Sequence, residues 1–130
     1  MKNLLIVFIA LCSHTVFAQD AQVEVTKENL SKKWVFKDVI NPDKSEAALA
    51  EMRDMLGALS LHFKKDGTYI MELLGNRKGT WQLNQDNKTI TTKQDGKSAS
   101  SSWTVHSLTK NELVASRDEA SQKIIFAAQQ

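Results

Sequence analysis

Apolar and polar residues alternate along most of the chain after residue 59, and this alternation predicts half-buried β-strands. Polar or glycine-containing segments, including 75–79 and 117–120, separate the alternating runs as turns between strands do. An earlier run is rich in aromatic and β-branched residues and predicts a first strand. The predicted strands are 34–40, 60–64, 68–74, 80–83, 89–92, 98–106, 113–115 and 123–126.

A different period occupies the segment between the first two strands. Apolar residues recur there every three or four positions, the spacing that places them on one face of a helix. Asp43 and Glu46 have the spacing of a capping box, and Gly57 favours the end of the helix. We therefore predict one amphipathic helix of about four turns. Its apolar positions are Ala48, Leu49, Met52, Met55, Leu56 and Leu59.

Short loops between eight strands indicate antiparallel neighbours, because a parallel pair needs a crossover of about a dozen residues. A meander of seven strands leaves long edges unless it closes, and the first strand can seal the seam. The sequence therefore predicts a mainly β fold, an eight-stranded antiparallel up-and-down barrel with one α-helix between strands 1 and 2. A two-sheet sandwich is the alternative. The residues predicted to face inward are Trp34, Phe36, Leu61, Phe63, Tyr69, Met71, Leu73, Trp81, Leu83, Ile90, Trp103, Val105, Leu113, Ile124 and Phe126.

The N-terminus has the features of a secretory signal peptide. Lys2 precedes the uninterrupted apolar run 4–12, and small residues suit cleavage between Ala18 and Gln19. The run is shorter than the roughly 20 residues that a membrane-spanning helix needs, and a buried strand or helix is its alternative interpretation. We expect export to the periplasm or the medium, and no transmembrane span in the mature chain. The predicted divisions are 1–18, signal peptide; 19–29, N-terminal lead-in; and 30–128, barrel domain.

Cys12 is the only cysteine of the chain. Lipid attachment to it is the less favoured alternative, because lipoprotein signals have Gly, Ala or Ser before the cysteine and this sequence has Leu11. Cleavage after Ala18 removes Cys12, so the mature chain can form no disulfide, thiol nucleophile or cysteine-based metal site. Packing and hydrogen bonds alone then hold the mature fold.

The charge of the chain does not indicate a nucleic-acid partner. Lysine and arginine number 17 against 15 aspartate and glutamate residues, and loss of Lys2 leaves a net charge of +1 (16 minus 15). The basic residues are interspersed with acidic ones and form no stripe with interleaved aromatics. An apolar fraction of 42% is ordinary for a globular domain and excludes wholesale disorder.

Several short motifs resemble the secreted bacterial lipocalin-like domains. They are Leu30 followed by Trp34, FKKDGTY at 63–69, GTWQL at 79–83 and WTVHSLTKNELV at 103–114. The resemblance covers residues 30–126 and implies a calycin-type β-barrel that binds a small apolar molecule, without one shared reaction. Lipocalins proper have a Gly-x-Trp pattern in the first strand, whereas this chain has Lys32 and Lys33 before Trp34. Trp34 is expected to close the base of the barrel.

The predicted ligand site lies inside the barrel or at its mouth. An eight-stranded barrel is just wide enough to be filled by side chains or to hold one small ligand. The candidate ligand-binding residues are inward aromatic and sulfur-containing side chains, with two helical methionines as a lid. They are Phe36, Phe63, Tyr69, Met71, Trp81 and Trp103, with Met52 and Met55 on the helix. The alternative is that these side chains form the hydrophobic core and bind nothing.

The sequence after the signal contains no recognisable catalytic or metal-binding motif. His62 and His106 alternate outward between apolar residues, without His-x-His or Glu-x-x-His spacing, a nucleophile elbow or a Gly-rich phosphate loop. Asp38 and Glu72 lie within strands, and either would orient a ligand if it pointed inward. Outward exposure is the prediction for both. We expect neither catalysis nor a cofactor or metal.

Two hypotheses of function follow. The first is an exported lipocalin-like protein that binds a small hydrophobic molecule in the barrel. The second is a ligand-free structural or protein-interaction barrel of the cell envelope. A cavity of a few hundred cubic ångströms lined by the aromatics favours the first, and a solidly packed barrel favours the second.

Overall fold

The computed structural model describes residues 21–118 and 120–129. The predicted signal peptide, Cys12 and the first two residues of the lead-in lie outside the described residues. The helices are α1 (Lys27–Leu30) and α2 (Glu46–Leu56). The strands are β1 (Lys33–Ile40), β2 (Ser60–Phe63), β3 (Thr68–Glu72), β4 (Asn76–Leu83), β5 (Thr89–Gln94), β6 (Ser100–Leu108), β7 (Glu112–Arg117) and β8 (Lys123–Ala128).

The eight strands form a closed antiparallel barrel in sequence order, and the predicted architecture is confirmed. Each strand pairs with the next, and β8 returns to pair with β1, which closes the sheet into a barrel. The sandwich alternative is wrong, because the first strand joins both β2 and β8 and closes the sheet. Helix α2 lies between β1 and β2, as predicted.

Helix α2 begins differently from the prediction. Ser45 is the N-cap, and its hydroxyl accepts a hydrogen bond from the Ala48 N–H at 3.2 Å. The predicted capping box of Asp43 and Glu46 is therefore wrong, and the Glu46 carboxylate instead accepts from Arg53. The Asn41 side chain accepts from the Asp43 N–H and holds a turn, which delays the helix. The helix has eleven residues, about three turns, and ends as predicted before Gly57.

The lead-in contains most of a short helix, α1, that the sequence pattern did not predict. The Thr26 hydroxyl caps α1 by accepting from the Asn29 N–H at 3.1 Å. Before α1, the Val23 N–H donates to the Leu108 carbonyl at the end of β6. The lead-in therefore belongs to the barrel structure, because it covers one end of the strands.

Two predicted turns are shorter than expected, and both differences place arginines in strands. In place of the predicted turn over residues 75–79, the chain makes a tight turn at Leu73–Gly75, and β4 begins directly afterwards at Asn76. Leu74 and Gly75 make this turn with positive φ values of 56° and 121°. Arg117, predicted to begin a turn, is the last residue of β7.

The alternation predicted the core well. Of the fifteen residues predicted to face inward, twelve are buried in the hydrophobic core. The other three, Phe36, Leu73 and Leu83, are partly buried against that core. Further core residues that the alternation did not assign are Leu30, Leu59, Leu108 and Ala115.

The two ends of the barrel differ. The end that we call the closed end carries α1 and the β2–β3, β4–β5 and β6–β7 turns. Leu30 and Trp34 are completely buried there, and the Trp34 indole N–H donates to the Leu30 carbonyl at 3.0 Å. The opposite end, which we call the open end, carries α2 and the β3–β4, β5–β6 and β7–β8 connections. Trp34 thus occupies the base, as the resemblance to lipocalin-like domains implies.

Candidate functional site

Most of the predicted ligand-binding side chains pack against one another. Phe63, Tyr69, Met71, Trp81 and Trp103 are all buried on the inner face of the barrel, and Phe36 is half-buried beside them. The ring centroids of Phe63 and Trp81 are 4.9 Å apart, and those of Phe63 and Tyr69 are 6.4 Å apart. These contacts favour the interpretation that Phe63 and Trp81 are core residues, since rings packed together offer little surface to a ligand.

The two helical methionines do not approach this cluster as a lid. Met52 is half-buried, and Met55 is 68% exposed. Helix α2 is held beside β1 by an ion pair in which Arg53 Nε lies 2.8 Å from Asp38 Oδ1. Neither methionine lines the cavity described next.

A cavity of about 170 Å³ lies in the open-end half of the barrel. Its inner wall is the buried side chains Tyr69 and Met71 of β3 and Thr92 of β5. Gln94 and Ser101 continue this wall, and Ala99 lies at the exposed rim. Of the predicted ligand-binding residues, only Tyr69 and Met71 line it.

Three cationic side chains complete the lining. Arg77 of β4 and Lys97 of the β5–β6 loop are exposed at the rim, and Arg117 of β7 is half-buried. The described residues that line the cavity include no aspartate or glutamate. The cavity is therefore electropositive, although the whole chain is nearly neutral at +2.

Arg117 faces the barrel interior because of its register. It follows Leu113 and Ala115 on the inward side of β7 and pairs with Trp103 of β6. Its guanidinium Cζ lies 5.8 Å from the Trp103 ring centroid, and Nη2 donates to the Ser101 hydroxyl at 3.4 Å. Nη1 is 3.9 Å from the Met71 sulfur. These are weak contacts for a group with five N–H donors.

The Tyr69 side chain also lines the cavity, and its hydroxyl lacks a strong partner. Tyr69 is 6% exposed, yet its hydroxyl makes no hydrogen bond to the part of the chain that the structure describes. Buried tyrosine hydroxyls usually find a partner, because leaving one unsatisfied costs free energy. The cavity thus presents a cation and a phenol that are both available to a ligand.

Sequence reasoning missed Arg117 because it adjoins Asp118, Glu119 and Ala120 and resembled a polar turn. The two-residue spacing of Leu113, Ala115 and Arg117 was the signal that could have found it. An arginine that continues an inward apolar series at the end of a strand is a candidate for the mouth of a barrel.

The titratable residues singled out in the sequence lie away from the cavity. Asp38 pairs with Arg53, which lowers the pKa of that carboxyl. Glu72 accepts from the Ser60 hydroxyl at 2.9 Å, and this bond together with Lys33 lowers its pKa. His106 Nε2 shares a 2.8 Å hydrogen bond with the Ser116 hydroxyl. No group of three or more His, Cys, Asp or Glu side chains within 21–118 and 120–129 is arranged to hold a metal ion.

His62 and His106 are expected to make the fold less stable as the pH falls below about 6.5. Partial burial lowers the pKa of His62 and of His106 from 6.5, and nearby lysines lower both further. The unfolded chain then binds more protons in this window, so stability is fully present above it and is lost as the pH falls. Urea unfolding at pH 7.5 and 5.5 measures the difference.

A double variant, His62→Gln with His106→Gln, provides the control for this pH dependence. It should show a smaller difference in unfolding free energy between the two pH values than the natural chain. Asp66 and Asp86 add little in this window, because the ordinary carboxyl pKa of 3.8 already lies well below pH 5.5 and hydrogen bonds from Thr68 and Thr89 lower it further in the folded chain. An unchanged difference in the double variant would contradict the prediction.

Comparison with known proteins identifies the fold alone. The barrel is similar to the crystal structure of a DUF4847 family protein from Bacteroides vulgatus ATCC 8482, with a TM-score of 0.54 and 20% identity, over 78% of this chain and 96% of that chain. It is also similar to the NMR structure of a protein from Bacteroides uniformis ATCC 8492, with a TM-score of 0.56 and 17% identity, over 85% of this chain and 96% of that one. No family model and no curated protein matches the sequence. The lipocalin resemblance stays a prediction.

Within the described residues, every helix is too short or too polar to cross a membrane.

Proposed function

We propose that this chain is an exported barrel protein that binds one small molecule in the cavity at its open end. The observation that carries the proposal is the cavity itself, in which the guanidinium of Arg117 and the hydroxyl of Tyr69 lack strong partners. Pockets that combine a shaped wall with a few convergent polar groups are the usual form of ligand sites.

The cavity size restricts the ligand. A volume of about 170 Å³ is close to that of engineered cavities of about 150 Å³ that bind benzene. Typical sites for drug-sized ligands are larger, about 300–1,000 Å³. The cavity is open at its rim, so the part of the proposed ligand that it encloses has about the size of a substituted benzene ring.

Export and a binding role complete the proposal. Lys2, the apolar run 4–12 and the small residue Ala18 support export. Binding is proposed in preference to catalysis because the cavity wall contains no histidine, cysteine or carboxylate among its described residues. The proposed location is the periplasm or the medium.

A ligand-free structural or protein-interaction barrel is the second candidate. The packing of the closed-end half favours it, since Phe63, Trp81, Trp34 and Phe126 fill that half with buried side chains. The two candidates differ in one respect that can be measured, namely whether the open-end cavity is occupied in the purified protein.

Native mass spectrometry of the full-length chain, expressed with its own N-terminus and purified without denaturation, tests the proposal. We expect a reproducible additional mass of a small molecule on the barrel. The variant Ser101→Phe should remove this mass, because the new ring projects into the cavity.

The matched control is Ser100→Phe on the same strand, which lies outside the cavity and should retain the mass. Bare protein in every preparation would favour the structural barrel. An additional mass that persists in both variants would place the ligand elsewhere.

A further inference from the structure

The charges around the cavity are unbalanced. Arg77, Lys97 and Arg117 contribute three cations to the lining, and its described residues contribute no carboxylate. Elsewhere in the described residues, Lys37 forms an ion pair with Glu112 and Lys33 forms one with Glu72. General basicity therefore does not explain the cavity, because basic and acidic residues are almost equal in number, 17 against 15.

Arg117 is the most buried of these three cations. Its side chain is half-buried over the Trp103 ring, and no described carboxylate forms an ion pair with it. The nearest acidic residue along the chain, Asp118, accepts a hydrogen bond from the Ser102 N–H at 3.0 Å. A partly desolvated guanidinium without a counter-ion is unfavourable, and a ligand carboxylate is the group that its planar donors fit.

Tyr69 adds a hydrogen-bond donor to the same cavity. The hydroxyl belongs to a side chain that is more than nine-tenths buried and lacks a described partner. A phenol donates readily to an anionic oxygen, and such charge-assisted bonds are shorter and stronger than neutral ones. Met71, in the same wall, adds an apolar contact surface.

We infer that the ligand is a small organic carboxylate whose anionic group binds Arg117 and Tyr69. Arg77 and Lys97 at the rim attract the anion, and Met71 contacts its apolar portion. The apolar wall distinguishes an organic acid from an inorganic anion, which has no group to place there. This inference rests on the proposed function and specifies the chemistry of the same cavity.

Titration with benzoate and with benzamide tests the inference, because the two probes have nearly the same shape and differ in charge. We expect benzoate to bind the full-length protein at least about tenfold more tightly than benzamide, as a charge-assisted hydrogen bond predicts. Backbone NMR shifts at Thr92 and Ser101 report binding at the cavity, because both residues line it. Sodium sulfate serves as the inorganic competitor and should displace benzoate only weakly.

Variants of Arg117 and Tyr69 test whether these two side chains contact the carboxylate. Arg117→Gln should weaken benzoate binding by about tenfold and leave benzamide binding unchanged, whereas Arg117→Lys should recover part of the loss. Lys93→Gln is the matched control, since it removes the same charge from the exposed outer side of β5. Tyr69→Phe should weaken benzoate binding about threefold or more without lowering the midpoint of thermal unfolding, because its hydroxyl holds no part of the protein.

The outcomes separate this inference from the proposed function. Equal affinities for benzoate and benzamide would overturn the inference that the ligand is a carboxylate. Equal losses of benzoate affinity in Arg117→Gln and Lys93→Gln would do the same. Either result would leave the proposal of a small-molecule site in place. Displacement of benzoate by sulfate at equal concentration would overturn the organic ligand in favour of an inorganic anion. Absence of binding by both probes would overturn the inference, and the function itself is decided by the mass measurement described above.

Discussion

Replacement of Gly79 by alanine is expected to lower the free energy of unfolding by about 3 kcal/mol or more. Gly79 is buried in the middle of β4, where it pairs with Tyr69 of β3 and Gln94 of β5. A Cβ added there would overlap the backbone carbonyl oxygen of Lys93. The obstructing atom is backbone, so the strands must separate locally, and a domain of this size has only about 5–15 kcal/mol of stability.

Gly57→Ala is the matched control, since it makes the same chemical change in a different setting. Gly57 has helical backbone angles at the end of α2, and an added Cβ would lie 3.3 Å from the Arg53 carbonyl. We expect a change below about 1 kcal/mol in either direction. Urea unfolding of both variants measures the difference, and a Gly79→Ala variant as stable as Gly57→Ala would contradict the close approach of β4 and β5.

The structural role of Gly79 shows what kind of information the sequence contains. The sequence predicted Gly79 as the last residue of a turn over residues 75–79, because glycine and polar residues usually indicate turns. The structure uses Leu74 and Gly75 for the turn and needs Gly79 for close strand contact. Leucine rarely adopts positive φ, so residue preference alone could not locate this turn.

The strand order and inner face were predictable because both depend on a period. Alternation along one strand places every second side chain inside, and it assigned Trp81, Ile90 and Phe126 to the core, where they are buried. Short connections then required antiparallel neighbours, which leaves a barrel as the way to avoid open edges. These arguments use only neighbouring residues and need no knowledge of distances across the barrel.

The cavity could not be predicted in the same way. A cavity is the volume that packed side chains leave unfilled, and it depends on how rings from several strands meet. Trp81 and Phe63 fill their part of the barrel, whereas Met71, Thr92 and Ser101 leave space below the rim. Alternation assigned Trp81, Phe63 and Met71 alike to the inner face, so the sequence predicted a barrel interior without indicating which half was filled.

Replacement of Trp34 by alanine is expected to lower the free energy of unfolding by about 3–5 kcal/mol. Trp34 is 0% exposed at the closed end of the barrel, so its removal leaves a large cavity among packed side chains. Its indole N–H also donates to the Leu30 carbonyl at 3.0 Å and thereby joins α1 to β1. The Lys32 ammonium lies 5.6 Å from the ring centroid and adds a cation–π contact at the surface of this end.

Trp34→Phe separates the ring from the hydrogen bond. It keeps an aromatic side chain in the base but removes the indole donor, and a smaller loss of about 1–2 kcal/mol is expected. The Leu30 carbonyl retains its hydrogen bond from the Lys32 N–H, which limits the cost. Leu74→Ala is the control for loss of a large apolar side chain, because Leu74 is 100% exposed and should change stability by less than about 0.5 kcal/mol. Urea unfolding of the three variants should rank them in this order, and a Trp34→Ala loss no larger than that of Leu74→Ala would contradict the role of Trp34 in the base.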